Sequence, residues 1–370
     1  MLLAIRGCVV NLRIPGPTPC PEEVLHAVGK QMINHRGPEF CELLTKITGQ
    51  LKDLFQTKND VFVLTCSGTG AMEAAVVNTL SPGDRVLGVS IGVFGERFAQ
   101  IAETYGADVK RLDFEWGTAA DPEAVRGALA ADPAIKAVLV THNETSTGVT
   151  NDLGALSRVV KEFGKLLLVD AISSIGSIDL PVDKWGCDVV VTGSQKGWMV
   201  PPGLAMVSVS AKAWDAYAAA KIPRFYMDFG KAKSYLEKGQ TPWTPAVSIV
   251  YGLAVALDLM QAEGWTNIIA RHGRLGAFTR SGVKGLGLSL YADEKYASNT
   301  VTAVNVPPGV DGKKLLRMMR EEKGVVLSGG QSRLDGKIFR VGHLGYCHEP
   351  EIANVVETLR EYLPKAKANS

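Results

Sequence analysis

A chain of 370 residues, 46% hydrophobic and 21% charged, can bury a large core without disulfide help and has the make-up of an ordinary globular protein. Its net charge of +2 gives no footing for a nucleic-acid surface. Cys8, Cys20, Cys41, Cys66, Cys187 and Cys347 form no CxxC pair, and no His cluster stands near them at zinc spacing, so free thiols in a reducing compartment are expected. No apolar run approaches the roughly 20 residues of a membrane span. The start, residues 1–11, lacks a charged segment followed by a long apolar one. The expectation is a cytoplasmic protein with neither membrane nor nucleic acid as partner.

Residues 1–20, rich in Pro and Gly, read as an extended arm that crosses between domains. Strand 61–65 and helix 70–80 follow. Pro82-Gly83-Asp84 then punctuates the chain before strand 85–90, helix 95–105 and strand 108–112. Helix 122–131, strand 137–141, helix 153–163 and strand 166–170 continue the alternation. Several of these strands are apolar on both faces, as in Leu166-Leu167-Leu168-Val169, which places them in a parallel sheet covered on both sides. Strand 188–192 is followed by 204–208 with no helix between, so an antiparallel neighbour is expected there. A long helix over 246–262 ends at Gly264. Beyond it, a helix, strand 302–306, helix 312–322, strand 338–341 and helix 349–362 read as a smaller α+β domain. The predicted organisation is an arm (1–20), a large α/β domain (21–264) with a mostly parallel seven-stranded sheet, and a small C-terminal domain (265–370).

Three features carry chemistry. Strand 166–170 ends in Asp170, and a carboxylate at the C-terminal end of a buried parallel strand faces the ligand crevice of an α/β sheet. Taken alone, Asp170 is equally a turn or helix-capping residue. Lys196 lies in Gly193-Ser194-Gln195-Lys196-Gly197, just after a buried strand. A desolvated lysine there is a nucleophile, whereas a surface loop lysine is the plain alternative. Ser67-Gly68-Thr69 stands between a strand and a helix, where backbone N–H groups and hydroxyls can cradle a phosphate. It lacks the Gly-Lys-Ser of a nucleotide P-loop and the third glycine of a dinucleotide fingerprint. Together the three supply what pyridoxal phosphate requires: a phosphate cradle, an anion for the ring nitrogen and an amine for the aldehyde.

At these positions the chain resembles the class V aminotransferases of fold type I, near the alanine–glyoxylate and serine–glyoxylate branch. The likeness rests on Pro15-Gly16-Pro17-Thr18-Pro19, Ser67-Gly68-Thr69, the stretch from Thr141 to Gly148, Val169-Asp170, Ser194-Gln195-Lys196, Thr241-Pro242-Trp243-Thr244-Pro245 and Arg340-Val341-Gly342. The resemblance implies Lys196 as the lysine bonded to the cofactor and Asp170 as partner of its ring nitrogen. It implies Ser67, Gly68, Thr69 and Gln195 as phosphate ligands, Thr145 as partner of the phenolic oxygen, and Phe94 on the ring face where relatives commonly place Trp. It implies Arg340 as the clamp for the substrate carboxylate. Thr244 resembles a residue that reaches the cofactor phosphate of the neighbouring subunit, which implies a homodimer. Thr241 stands where some relatives carry Tyr. The substrates implied are a small amino acid, alanine or serine, and a 2-oxo acid, glyoxylate.

His142 lies close to these residues in sequence and is an outer-shell candidate. His35, His343 and His348 read as structural or surface. Arg36 falls in a loop that relatives place near the site, and Arg333 in a loop of unknown orientation. Cysteine desulfuration, a rival within the same family, needs a thiol shortly before the clamp arginine, and residues 329–335 contain none. A nucleotide-binding regulator on the same framework would leave Lys196 and Arg340 without roles.

Overall fold

Alternating apolar strands and amphipathic helices build one sheet with helices on both faces. A computed structural model describes residues 10–368. Cys8 and nearly all of the 1–11 segment judged for a signal peptide lie outside the described residues. The central strands are β1 (Asp60–Leu64), β2 (Arg85–Ser90), β3 (Asp108–Asp113), β4 (Ala137–Thr141), β5 (Leu166–Asp170), β6 (Val189–Gly193) and β7 (Ala205–Val209). Their order across the sheet is β1-β7-β6-β5-β4-β2-β3. β2 pairs in parallel with β3 and β4, β4 with β5, and β5 with β6. β7 runs antiparallel to β6 and β1. The link from β6 to β7 holds no helix, so the chain turns back beside β6, as the sequence suggested.

Strands β4 to β7 are buried along their whole length. Their side chains alternate between two apolar cores, as the two-residue period of a strand requires. Val138, Val140, Val169 and Val190 join one core with helices Pro38–Phe55 and Val247–Glu263. Leu139, Leu168, Val189 and Val191 join the other with helices Gly68–Thr79 and Val93–Thr104. Helix Pro38–Phe55 was not foreseen. It buries Phe40, Leu44, Ile47, Leu51, Leu54 and Phe55, spaced three and four apart for most of its length.

Two helices begin two residues earlier than expected, at Gly68 and Val93. Gly68, Thr69 and Phe94 therefore sit in first turns, where backbone N–H groups lack intrahelical acceptors. Both first turns lie at the C-terminal edge of the sheet.

Helix Val247–Glu263 ends at Gly264, whose φ of +84° suits glycine, and the chain bends by 87° into helix Trp265–Lys284. β8 (Val301–Asn305), β9 (Ser328–Gly329) and β10 (Ile338–Gly342) then form an antiparallel sheet in the order β8-β10-β9. The core here gathers Leu275, Leu315, Phe339, Val341, Ile352 and Leu359. The arm joins this part to the large sheet. Asn11–Leu12 pairs with Val325–Val326, the Arg13 carbonyl accepts from Gly342 N at 2.7 Å, and Thr18 N donates to the Gln195 carbonyl at 3.0 Å. Among the described residues no single helix is long and apolar enough to cross a membrane.

Candidate active site

The C-terminal ends of β4, β5 and β6 deliver the site. Asp170 is the last residue of β5 and is 3% exposed. Its Oδ1 accepts from Ile172 N at 2.9 Å, and its Oδ2 accepts from Thr141 Oγ1 at 3.3 Å. Burial, then the nearby Glu144, push its carboxyl up to about 7, and Lys196 pulls the other way. A cation brought beside it would keep it ionised.

Lys196 follows β6 on a short loop. Its Nζ donates to the Pro15 carbonyl at 2.6 Å. The arm presses closely here: a Cβ on Gly16, whose φ is +129°, would stand 2.5 Å from that Nζ. Burial and repulsion from Arg340 bring the Lys196 amine down to about 8, so a substantial fraction is neutral and nucleophilic near physiological pH.

Arg340 comes from β10 and is 5% exposed. Its Nε donates to the Gly329 carbonyl at 2.9 Å, and its Nη1 to the Thr145 carbonyl and Gln331 Oε1, each at 3.1 Å. Among the described residues no carboxylate forms an ion pair with it, and Nη2 makes no hydrogen bond. Burial lowers the guanidinium to about 10. A buried cation without its counterion is a binding element for an anion that arrives from outside.

Thr145 is buried between these groups and donates from Oγ1 to Ser173 Oγ at 2.8 Å. Ser67 is the N-cap of helix Gly68–Thr79, and its Oγ accepts from Gly70 N at 3.5 Å. A Cβ on Gly68 would fall 2.6 Å from Ile172 Cδ1, so the backbone of this turn lies flush against the loop after Asp170. The Gln195 amide oxygen is buried without a partner, and a Cβ on Gly193 would stand 3.0 Å from it and 3.4 Å from Gly68 N. The N–H groups that open this helix can donate to a phosphate, and Gln195 could join them only through its NH₂, since its amide oxygen accepts. Phe94, half-buried in the first turn of its helix, carries the Arg97 guanidinium 4.8 Å from its ring centroid.

The structure thus gathers Asp170, Thr145, Lys196, Gln195, Gly68 and Arg340 at one sheet edge. Thr244 is exposed and bonds none of them. Its segment is tied to the end of β1 by Ala246 N donating to Thr65 Oγ1 at 3.1 Å. Arg36 anchors the same segment, with Nη1 on the Thr241 carbonyl at 2.6 Å and Nη2 on the Pro242 carbonyl at 3.1 Å. The Arg333 guanidinium lies 3.7 Å from the Trp116 ring centroid. His142 is buried edge-on against Trp185, and only its backbone reaches Asp170, donating to the carbonyl at 2.9 Å. Glu144 lies in the stretch from Thr141 to Gly148 without a role assigned by the sequence. It is 0% exposed, and its carboxylate accepts four hydrogen bonds from the residues around Phe94 and Thr145.

The family model described as aminotransferase class V matches residues 10–340. A protein named soluble hydrogenase, small subunit, from Synechococcus sp. is 46% identical over 355 residues, 95% of this chain and 92% of that protein. The L-aspartate–glyoxylate aminotransferase of Paracoccus denitrificans is 40% identical over 339 residues, 90% of this chain and 85% of that one. The solved structure of the alanine–glyoxylate aminotransferase from Nostoc sp. superposes with a TM-score of 0.93 at 32% identity, covering 98% of this chain and 97% of that one.

Proposed function

Since the chain belongs to the class V aminotransferases, enzymes that depend on pyridoxal phosphate, we propose that it moves the amino group of alanine or serine to glyoxylate and yields glycine. The observation that carries this reading is Arg340: one buried guanidinium, without a carboxylate in direct contact among the described residues, in electrostatic reach of Lys196. One clamp suits substrates with one carboxylate. Arg36 and Arg333 are engaged elsewhere, so a second carboxylate on the donor would be desolvated without a partner from them. The two relatives named above for glyoxylate support the acceptor.

When bound, pyridoxal phosphate supplies the carbonyl that takes up the amino group and the ring that withdraws electrons from the substrate's Cα. The chain's residues do the rest. Gly68 N, Thr69 and Gln195 hold the phosphate, with Ser67 at the helix cap. Asp170 keeps the ring nitrogen protonated, and Thr145 and Phe94 orient the ring. Lys196, with its lowered affinity for protons, gives and takes the proton at Cα. Arg340 orients the substrate through its carboxylate.

We also propose a homodimer in which Thr244 completes the partner's phosphate site. Phe225, 67% exposed, and Tyr226 both stack on Trp243, beside Thr244, and leave an aromatic patch open for a second copy. Light scattering that finds an active monomer at assay dilution would contradict the dimer.

The test of substrate is a half-reaction screen in which each amino acid is mixed with the holoenzyme and the loss of cofactor absorbance is followed. Alanine and serine should react fastest, and glyoxylate should restore the starting spectrum with release of glycine. Aspartate outpacing both tenfold would overturn the choice of donor. The Synechococcus protein's name belongs to that protein, and a hydrogen-uptake assay on the purified chain tests whether that activity extends here.

A further inference from the structure

Glu144 is a buried acid that the reaction above does not use. Its Oε2 accepts from Phe94 N at 3.0 Å and Gly95 N at 3.1 Å, and its Oε1 from Ser146 N at 3.1 Å and Ser146 Oγ at 2.6 Å. Ser146 Oγ also accepts from Val93 N at 3.1 Å. Three N–H groups that open helix Val93–Thr104 are thus satisfied by one side-chain pair from the segment after β4. Each carboxylate oxygen already meets two donors, and a proton on Oε2 would face only the N–H groups of Phe94 and Gly95. Burial pushes the Glu144 carboxyl above its ordinary value, while these hydrogen bonds and the positive end of the helix dipole favour its ionised form. The packing allows no slack: a Cβ on Gly92 would stand 2.5 Å from both Glu144 Cγ and Ser146 Oγ. The same segment carries Thr145, whose carbonyl takes Arg340 and whose hydroxyl bonds Ser173.

We propose that Glu144, seconded by Ser146, is a positioning residue that locks the first turn of helix Val93–Thr104 to segment 143–146 and so sets where Phe94 and Thr145 stand relative to Asp170. The proposal rests on the reading of Phe94 and Thr145 as cofactor contacts. Gln at 144 would turn an NH₂ toward two donors and release one end of the lock. Ala at 146 removes the Val93 cap and one bond to Glu144 while leaving the carboxylate in place.

The experiment compares wild type, E144Q, S146A and F94L, each loaded with pyridoxal phosphate. Visible circular dichroism of the bound cofactor reads its asymmetric surroundings, equilibrium dialysis reads its dissociation constant, and apoprotein melting reads the fold. E144Q should diminish the dichroic band as F94L does and raise the dissociation constant about tenfold or more, with S146A in between. F94L altering the band while E144Q and S146A leave band and affinity at wild-type values would overturn the positioning role alone. F94L itself leaving the band unchanged would overturn the cofactor-contact reading beneath it. If E144Q does not fold, S146A carries the test by the same criteria.

Discussion

Two regions of this protein bury ionisable groups and treat them in opposite ways. Where helix Trp265–Lys284 meets the small sheet, His272 and His343 are fully buried. His272 Nδ1 is bonded to the Ile268 carbonyl at 2.8 Å and its Nε2 accepts from Gly345 N at 3.0 Å. One nitrogen is therefore a donor and the other an acceptor, which only the neutral ring can satisfy. His343 Nε2 stands 2.9 Å from Thr302 Oγ1. Burial pushes both histidines down to about 3, and they act as uncharged polar spacers. At the edge of the large sheet, Asp170, Lys196 and Arg340 are held near one another, and neither cation has a carboxylate partner in direct contact among the described residues. Both ring nitrogens of His272 are bonded within the chain, and His343 is bonded through Nε2, with Nδ1 left without a partner. The crevice is built around bonds that a ligand must supply. Burial of a charge-bearing group is thus not itself a mark of function; several such groups acting on one another in one crevice, with the cations' ion-pair partners left out, are.

That contrast predicts activity without stability in the crevice. Lys196→Ala should cut transamination by roughly 10²–10⁴-fold or more. The apoprotein's melting temperature should stay level or rise, because an unpaired buried cation has been removed. Turnover and melting are measured on the same preparation. Near-native turnover would remove Lys196 from the chemistry, and a collapse in melting temperature would make it structural like the histidines.

Arg340→Lys keeps the charge and loses the planar fork. It should weaken kcat/KM for the donor by roughly 1.5–3 kcal/mol. Steady-state kinetics with alanine or serine check this, and an unchanged kcat/KM would show that Arg340 does not hold the carboxylate.

His272→Leu is the converse case. It orphans the buried Gly345 N–H, strips a second bond from the Ile268 carbonyl, and should lower unfolding stability by roughly 1–3 kcal/mol, with turnover per folded molecule retained. Denaturant titration beside an activity assay separates the two. A stable variant with lost turnover would blur the distinction between the regions.

Much of this was legible in the chain and some was not, for physical reasons. β4 and β5 announce themselves because a strand buried on both faces must be apolar at nearly every position, and their observed bounds coincide with the expected ones. Asp170 stands out only in company: alone it also serves as a turn residue, accepting from Ile172 N, and Lys196 and Ser67-Gly68-Thr69 in the same sheet decide its reading. Helix Pro38–Phe55 carries its signal in the spacing of Phe40, Leu44, Ile47 and Leu51. The early starts of helices Gly68–Thr79 and Val93–Thr104 were hidden because glycine-containing turns read as loops until the acceptors of their N–H groups are known. Glu144 lies in the stretch from Thr141 to Gly148 but its role was hidden, since Phe94 and Gly95, which it binds besides Ser146, lie about fifty residues away in sequence. Arg36, whose role the sequence leaves open, anchors the segment that carries Thr244.

The smallest expected effect is also the one that sets the two regions against each other within a single measurement. Burial lowers His142 to about 4 and His272 and His343 to about 3, from an ordinary value of 6.5. Between pH 6.5 and 4 the unfolded chain binds protons at these positions and the folded one does not, so stability falls with acid, by at most about 1.4 kcal/mol per pH unit for each histidine. Asp170 in the apoprotein has the opposite sign. Its folded value of about 7 exceeds the ordinary 3.8, so the folded state holds the extra proton. Its contribution is present in acid and is lost as pH rises through 7. Asp170 therefore offsets roughly one histidine between pH 7 and 4, while the lowered value of Lys196, about 8, acts only at higher pH. Asp170→Asn removes the offset. Urea unfolding of the apoprotein at pH 7, 6 and 5 should then show a steeper acid loss in the variant than in wild type, by up to about 1.4 kcal/mol per pH unit. Parallel profiles would mean that Asp170 is ionised in the folded apoprotein throughout this range, its charge balanced within the crevice before any cofactor arrives.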